Sequence, residues 1–414
     1  MADPDERLAR AAIAATARLP GEGVSTVFLR RLPDLPAERQ AALLRALARR
    51  DEPEPVEAAR RWVREAEPGP LRTAAVELLG EKGDARDVPL LAGLLQGPDR
   101  EAALAALRRV PGLAVRAALL EVAARGEPLD DEGFLELLAE RQVNGAAVLL
   151  VNRLRERPGA HAAALLKALG ALADPALVPA ILDAAPAGAV EPAIEAALQI
   201  WRRAGRTDEA VRWVWERYAT ETDPAWRRGL LQAAAALGGA SGWQPVAAAL
   251  HDADEGVRAA AVRALAGWPS PEVLPVLLSV AGGADEKAAV IALRGALRLL
   301  DEAAGMNPAD QLAAWRRALE LARRPEERRL ALAGLGGSGL AGAVELITPW
   351  LEEANLRAEA VHALLQLAAK LPPDRTGALR RALEGVEIKD ANLRKQVEET
   401  LARLRQAGAG SDAR

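Results

Sequence analysis

Val257-Arg258-Ala259-Ala260-Ala261-Val262-Arg263-Ala264-Leu265-Ala266 is the stretch that decides the fold, because the chain returns to it at regular intervals. Leu71-Arg72-Thr73-Ala74-Ala75-Val76-Glu77-Leu78-Leu79-Gly80 has the same apolar start, the same Arg in second place and the same small, apolar ending. So does Leu356-Arg357-Ala358-Glu359-Ala360-Val361-His362-Ala363-Leu364-Leu365, and weaker copies begin at Asp99, His161 and Glu327. Self-similarity with a period of roughly 30 residues marks a repeat architecture. In such a chain each repeat packs only on its neighbours, so the core grows in one dimension and 414 residues need not divide into separate globules.

Working outward, Pro and Gly fall between the apolar-periodic stretches: Pro68-Gly69-Pro70, Gly97-Pro98-Asp99, Pro158-Gly159, Asp174-Pro175, Asp223-Pro224 and Pro269-Ser270-Pro271. Pro89, Pro179, Pro245 and Pro275 sit early in helical stretches, where a missing N–H costs nothing. The pattern predicts helix pairs, with second helices beginning near residues 36, 69, 98, 128, 159, 188, 223, 254, 284, 325, 355 and 388. The widest interval holds Asp301-Glu302-Ala303-Ala304-Gly305-Met306-Asn307, which reads as an extended loop and the seam between an array over 1–302 and its continuation over 303–407. The tail, 408–414, reads as disordered.

Half the residues are hydrophobic but only 3% are aromatic, the composition of closely stacked Ala- and Leu-rich helices. Strand-like runs of alternating β-branched residues are absent. No Cys occurs, which removes disulfides, thiolate nucleophiles and Cys-ligated metals. A net charge of −4 opposes an electrostatic nucleic-acid binder. No apolar run is long enough to span a membrane. The start, Met1-Ala2-Asp3-Pro4-Asp5-Glu6-Arg7, lacks the features of a signal peptide, so a cytoplasmic protein is expected, either whole or cut from a longer chain.

Asp252, Asp254, Val257, Arg258, Ala260, Ala261, Ala264 and Leu265 follow an Asp-x-Asp…Val-Arg-x-Ala-Ala-x-x-Ala-Leu pattern that resembles the HEAT-like repeats of bacterial proteins, the PBS-lyase type. Ala314-Trp315 through Leu371, with Arg324-Pro325-Glu326-Glu327-Arg328-Arg329-Leu330, is similar to the C-terminal part of long bacterial HEAT regions. The resemblance covers nearly the whole chain and departs around 111–141 and 185–221, which lack the Val-Arg pair. It implies an all-α, right-handed α-solenoid of about twelve helix pairs. It also implies hydrogen-bond ladders between successive repeats, carried by Asp252 or Asp254 with Arg258 and by Arg72, Arg100, Arg328 and Arg357.

Chemistry-bearing motifs are few. Gly334-x-Gly336-x-x-Gly339 and Gly337-x-Gly339-x-x-Gly342 match a dinucleotide fingerprint, yet a helix and not a strand precedes them, so they read as a helix-to-helix turn. Leu340 stands where a nucleophile elbow around Ser338 requires Gly. His161, His251 and His362 are widely spaced and make no metal or triad motif. Nine Trp against two Phe and one Tyr are unusual. Helical phase places Trp201, Trp226, Trp243 and Trp315 with core residues. Trp213 lies about 150° from the Val211/Val214/Trp215/Tyr218 stripe, on the solvent side between Arg212 and Arg217. Trp and Arg are favoured at binding hot spots.

The inner surface of a HEAT solenoid is lined by second helices, where the third and seventh residues of the phrase face outward. The recognisable copies put Glu77, Glu101, Lys167, Arg263, Arg329 and His362 there among alanines, a lining mixed in sign. The expected function is a non-catalytic, cofactor-free, monomeric scaffold for another protein or a domain of its parent chain. Its candidate contacts are Trp213, Arg212, Arg217, Lys167, Arg263, Arg329 and His362. The alternative, suggested by the resemblance, is a nucleic-acid- or tetrapyrrole-handling role for the 201–243 segment. It would use Trp201, Trp213, Trp215 and Tyr218 with Asp208 or Glu209.

Overall fold

The computed structural model describes residues 5–411 apart from 158, 160, 239–241, 304 and 373–374. Two compact units divide the chain, Met1–Glu209 and Ala210–Arg414. The first opens with α1 (Glu6–Thr16), then α2 (Val24–Arg31) and α3 (Ala37–Leu47), α4 (Glu54–Glu65) and α5 (Pro70–Lys82). It continues through α6 (Val88–Ala92) and α7 (Arg100–Arg109), α8 (Val115–Ala123) and α9 (Glu132–Glu140), α10 (Ala147–Glu156) and α11 (Ala162–Leu172), then α12 (Val178–Ala184) and α13 (Val190–Ala204). The boundary falls inside α14 (Thr207–Thr220), which precedes α15 (Pro224–Leu237). Next come α16 (Trp243–Ala248) and α17 (Glu255–Ala266), α18 (Leu274–Ala281) and α19 (Glu286–Asp301), α20 (Pro308–Leu321) and α21 (Pro325–Gly337). The last pairs are α22 (Ala343–Ile347) with α23 (Arg357–Lys370) and α24 (Gly377–Glu384) with α25 (Ala391–Ser411).

The chain is an all-α solenoid, with twelve helix pairs after α1 among the described residues. Every second helix begins within four residues of its expected position. Asp131, Asp254 and Asp390 begin three of them by accepting the main-chain N–H three residues on, at 2.9, 2.9 and 2.7 Å, the N-cap that offsets an orphan donor. Pro89, Pro179 and Pro275 stand second in α6, α12 and α18, as their phase predicts.

Successive second helices stack directly on one another within each unit, and glycine sets how closely. A Cβ on Gly80 would lie 2.6 Å from the Ala106 Cα, one on Gly295 2.6 Å from the Ala266 Cα, and one on Gly336 2.7 Å from the Ala363 Cα. Gly170 meets the Ala196 Cα in the same way at 3.3 Å. In each case the tenth phrase residue of one helix rests on the eighth of the next, and one of the two is Gly.

Two sets of cations fasten the stack. Arg258 donates to the Asp252 carbonyl at 2.8 Å, Arg328 to Ala322 at 2.9 Å, Arg357 to Leu351 at 2.6 Å, and Arg72 to Ala66 at 3.2 Å, always six residues back. A second set, which the sequence did not suggest, reaches to the preceding repeat. Arg50 donates to the carbonyls of Thr16 and Leu19, Arg141 to Leu107 and Val110, and Arg298 to Ala266 and Trp268. Each closes the C-terminal carbonyls that a helix leaves unpaired.

Arg50 also holds Glu52 at 3.0 Å, and the Ser25 N–H donates to the same carboxylate at 2.7 Å. The Arg50 hydrogen bond, then the Ser25 ones, bring the Glu52 carboxyl from its ordinary 4.5 down to about 2. A lowered carboxyl contributes stability that is present above 4.5 and lost as pH falls through about 2. Glu52→Gln is therefore expected to lower the urea midpoint at pH 7, with the gap to wild type narrowing steadily from pH 4.5 to pH 2. A gap independent of pH would contradict this assignment.

The expected seam at 302/303 is not where the compact units divide. Residue 304 lies outside the described residues, but Gln311 of α20 donates to the Leu300 carbonyl of α19 at 3.1 Å, and Arg294 of α19 pairs with Glu327 of α21 at 3.0 Å. At the other end the α25 backbone is helical to Ser411, where a disordered tail from 408 is expected, and residues 412–414 lie outside the described residues.

Candidate functional site

The ladder expected from the resemblance is partly different in kind. Arg72 and Arg100 do reach the next repeat, to Asp99 at 2.8 Å and to Asp131 at 2.6 and 3.0 Å. Asp131 in turn raises the pKa of Arg100 above its ordinary value, mainly by accepting its hydrogen bonds. Asp252, however, is held by Arg227 of the preceding second helix and not by Arg258, while Asp254 caps Val257 with Arg228 at 3.7 Å. Arg258, Arg328 and Arg357 serve the carbonyl six residues back instead. From the first turn of a helix, that orphan carbonyl is within reach of a guanidinium.

The Trp-rich segment is largely occupied by packing. Trp201, Trp226 and Trp315 are buried as expected, whereas Trp243 is half-buried and donates to Glu272 at 3.0 Å. Trp215 meets Tyr218 edge-on, with ring centroids 5.8 Å apart. Arg227 lies over the Tyr218 ring at 5.1 Å and donates to its hydroxyl at 3.1 Å, and Arg217 sits 6.0 Å from the Trp226 ring while pairing with Glu221. Trp213 is half-buried, not the fully exposed contact that its helical phase predicts, and only Arg212 beside it is exposed. Asp208 is exposed, and Glu209 is bound by Arg206 at 2.8 Å. Among the described residues, Trp215, Tyr218 and Trp226 are thus engaged by one another or by Arg227 and Arg217.

The glycine motif is resolved in the same terms. Gly334, Gly336 and Gly337 lie inside α21, so the helix-to-helix turn begins only after them, with Gly339 at φ +68°. A Cβ on Gly334 would strike the Trp315 ring at 2.2 Å, and one on Gly342 would lie 2.5 Å from the Leu312 side chain. Packing thus accounts for the spacing that mimics a phosphate loop.

Lys167, Arg263, Arg329 and His362 are all exposed on second helices. The structure also supplies the register of α9, α13, α15 and α19, where the phrase is too degenerate to align by eye. Asp131 and Asp254 are equivalent N-caps, the close Gly–Ala approaches align α13 and α19, and the run of buried positions from Trp226 to Ala234, matching that from Val257 to Leu265, aligns α15. With the register in place, the third and seventh positions separate by sign. From α5 to α13 they hold Glu77, Glu101, Glu136, Glu140, Glu191 and Glu195, with Lys167 as the one cation among the described residues. From α15 to α23 they hold Arg228, Arg263, Arg294 and Arg329, with His362 and no carboxylate. The lining is therefore acidic from α5 to α13 and basic from α15 to α23.

On the acidic unit α9, α11 and α13 enclose an open groove of about 650 Å³. Ala139, Ala163, Ala164, Ala168 and Ala171 make its floor, with Pro192 and Gln199 beside them. Glu132 and Glu136 stand on one bank and Glu195 on the other. Lys167, in the middle, pairs with Glu136 at 3.0 Å, and the His161 ring lies 3.3 Å from Glu132.

The sequence matches no family model and no curated protein. Among solved structures, the chain is similar to the karyopherin Kap121p bound to the SUMO protease Ulp1p, at 13% identity and a TM-score of 0.56 over 97% of this chain. It is similar also to Kap121p bound to Pho4p, at 13% identity and a TM-score of 0.53 over 98% of this chain. The chain spans about half the length of these neighbours, 53% and 52%. At that identity the likeness is one of fold, that of a helical-repeat solenoid.

Proposed function

We propose that this chain is a non-catalytic scaffold of the bacterial HEAT-like type, monomeric and cytoplasmic, that holds another protein or a domain of its parent chain on its second-helix face. The observation that carries the reading is the alanine-floored groove across α9, α11 and α13. It is a preformed recess on the surface that solenoids use for extended recognition. The neighbours of the same fold were solved with protein ligands, Ulp1p and Pho4p, which favours a protein partner.

The test is site-specific photocrosslinking in host lysate. A photoreactive residue at position 163, on the second-helix face, should capture a discrete protein, as should one at 263. One at 148, exposed on the first helix α10, should not. Equal capture from all three positions, or none from any, would sink the scaffold reading.

A further inference from the structure

We infer that the groove across α9, α11 and α13 docks a basic amphipathic helix of the partner protein. This rests on the scaffold reading above and deepens it.

The floor is methyl groups, which offer no hydrogen bond to a ligand backbone. An extended peptide laid there would strand its N–H and C=O groups, whereas a helix pairs its own. Small floor residues also let a helix approach closely. The banks supply the sign. Glu195 makes no ion pair among the described residues, and Glu132 has the His161 ring as its hydrogen-bonding contact, with the Arg100 guanidinium nearby but held by Asp131. Lys167 offsets Glu136, which Arg108 also approaches at 3.9 Å from outside the groove, and with three carboxylates to one Lys the lining itself keeps an excess of negative charge. A cationic segment balances that excess, and an anionic one, nucleic acid included, is repelled.

Spacing fixes the ligand further. α9 and α13 are separated by one intervening helix, and packed helices lie about 8–10 Å apart, so the two banks are roughly 16–20 Å from each other. A helix crossing α11 at a rise of 1.5 Å per residue bridges that span with cations about 11–13 residues apart and small apolar residues between them.

A labelled Ala/Leu helix of about twenty residues, with a Lys pair near each end at that spacing, is the probe for fluorescence anisotropy. It should bind the wild-type chain, weaken about tenfold on Glu132→Gln/Glu195→Gln, and lose binding on Ala163→Trp, which fills the floor. Glu121→Gln, on the first helix α8 and off the second-helix face, serves as the control and should leave binding unchanged. All four positions are exposed, so the variants should fold as wild type, with circular dichroism as the check.

Absence of binding to wild type, or binding unaffected by either groove variant, overturns the proposal. So does equal binding of an isomer broken by a central Pro, or full competition by spermine, which would indicate a small polycation. Self-association that Glu132→Gln/Glu195→Gln abolishes would make the occupant a second copy, and would also overturn it. If the probe fails while crosslinks form at 263, the groove assignment falls and the scaffold reading stands. If neither position captures anything, both fall.

Discussion

Gly295→Ala is expected to lower the stability of this chain by about 2 kcal/mol, although alanine is the better helix former. Two opposing effects decide the sign. In the middle of α19, Gly to Ala should gain about 1 kcal/mol of helix propensity. Against it, the new Cβ lies 2.6 Å from the Ala266 Cα and 2.9 Å from its carbonyl oxygen, both backbone atoms that no side-chain rotation can move. Overpacking of this kind costs about 1–3 kcal/mol or more. Two stacked helices must separate to relieve it, which is why the cost exceeds the gain. Gly295→Leu should cost roughly 4 kcal/mol or more by the same clash. Ala266→Gly removes the Cβ 2.7 Å away and should rescue Gly295→Ala in part, because the backbone of residue 266 still lies too close. Gly377→Ala is the control: nothing lies within 4 Å of the added Cβ, so its effect should be near zero. Urea unfolding of the four variants reads all of this. A stabilised Gly295→Ala chain would mean that the helices are not held at this distance.

That close approach shows what the sequence could and could not say about the fold. Val-Arg-x-Ala-Ala-x-x-Ala-Leu is legible because buried positions recur with helical period and because proline and aspartate punctuate the turns. Those signals are local, and they located every second helix. Gly80, Gly170, Gly295 and Gly336 are ordinary helix glycines by composition, since the close approach that requires them belongs to the neighbouring repeat. The partner of Asp252 was misplaced for the same reason. Arg258 is near in sequence, but Arg227, one repeat back, is near in space. Arg50, Lys82, Arg141, Arg203, Arg298 and Lys370 left a faint trace that could have been read, a cation near the end of several second helices.

The candidate surface was legible only in part. Lys167, Arg263, Arg329 and His362 lie in recognisable copies of the phrase and are exposed as expected. Glu136, Glu140, Glu191 and Glu195 lie in α9 and α13, where Phe134-Leu135 and Ala189-Val190 replace the Val-Arg pair and hide the register. A slip of one residue turns a helical position by about 100°, enough to exchange face for core. Pooling only the readable copies mixed cations of one unit with the few visible anions of the other, which concealed the separation by sign. Trp213 is half-buried for a similar reason. The helical wheel gave its direction on α14 but not what packs against that side.

Arg60→Ala should be among the most damaging substitutions of a charged residue in this chain, at about 3–5 kcal/mol. Asp87 is 1% exposed and receives Arg60 twice, at 2.7 and 3.0 Å. Arg60 is itself largely buried, and the Asp87 carboxylate raises its pKa above the ordinary value, chiefly by accepting those bonds. Truncating the Arg leaves a carboxylate out of water with the Asp84 N–H, at 2.9 Å, as its remaining close donor. The pair nevertheless need not contribute that much net stability, because both ions lost hydration on folding. Arg60→Met with Asp87→Leu should therefore recover most of the loss. Recovery stops short of wild type, since the Asp84 N–H then loses its acceptor and the turn before α6 loses its capping box. Burial also predicts the salt response. Raising NaCl should leave the Arg60→Ala effect almost unchanged, whereas an exposed pair such as Arg10–Glu6 is screened. Urea midpoints of the wild type, Arg60→Ala and the Arg60→Met/Asp87→Leu double variant at low and high salt form the test. If Arg60→Ala is nearly neutral, Asp87 is being satisfied by water, and the ladder is a surface decoration rather than a determinant of how the repeats stack.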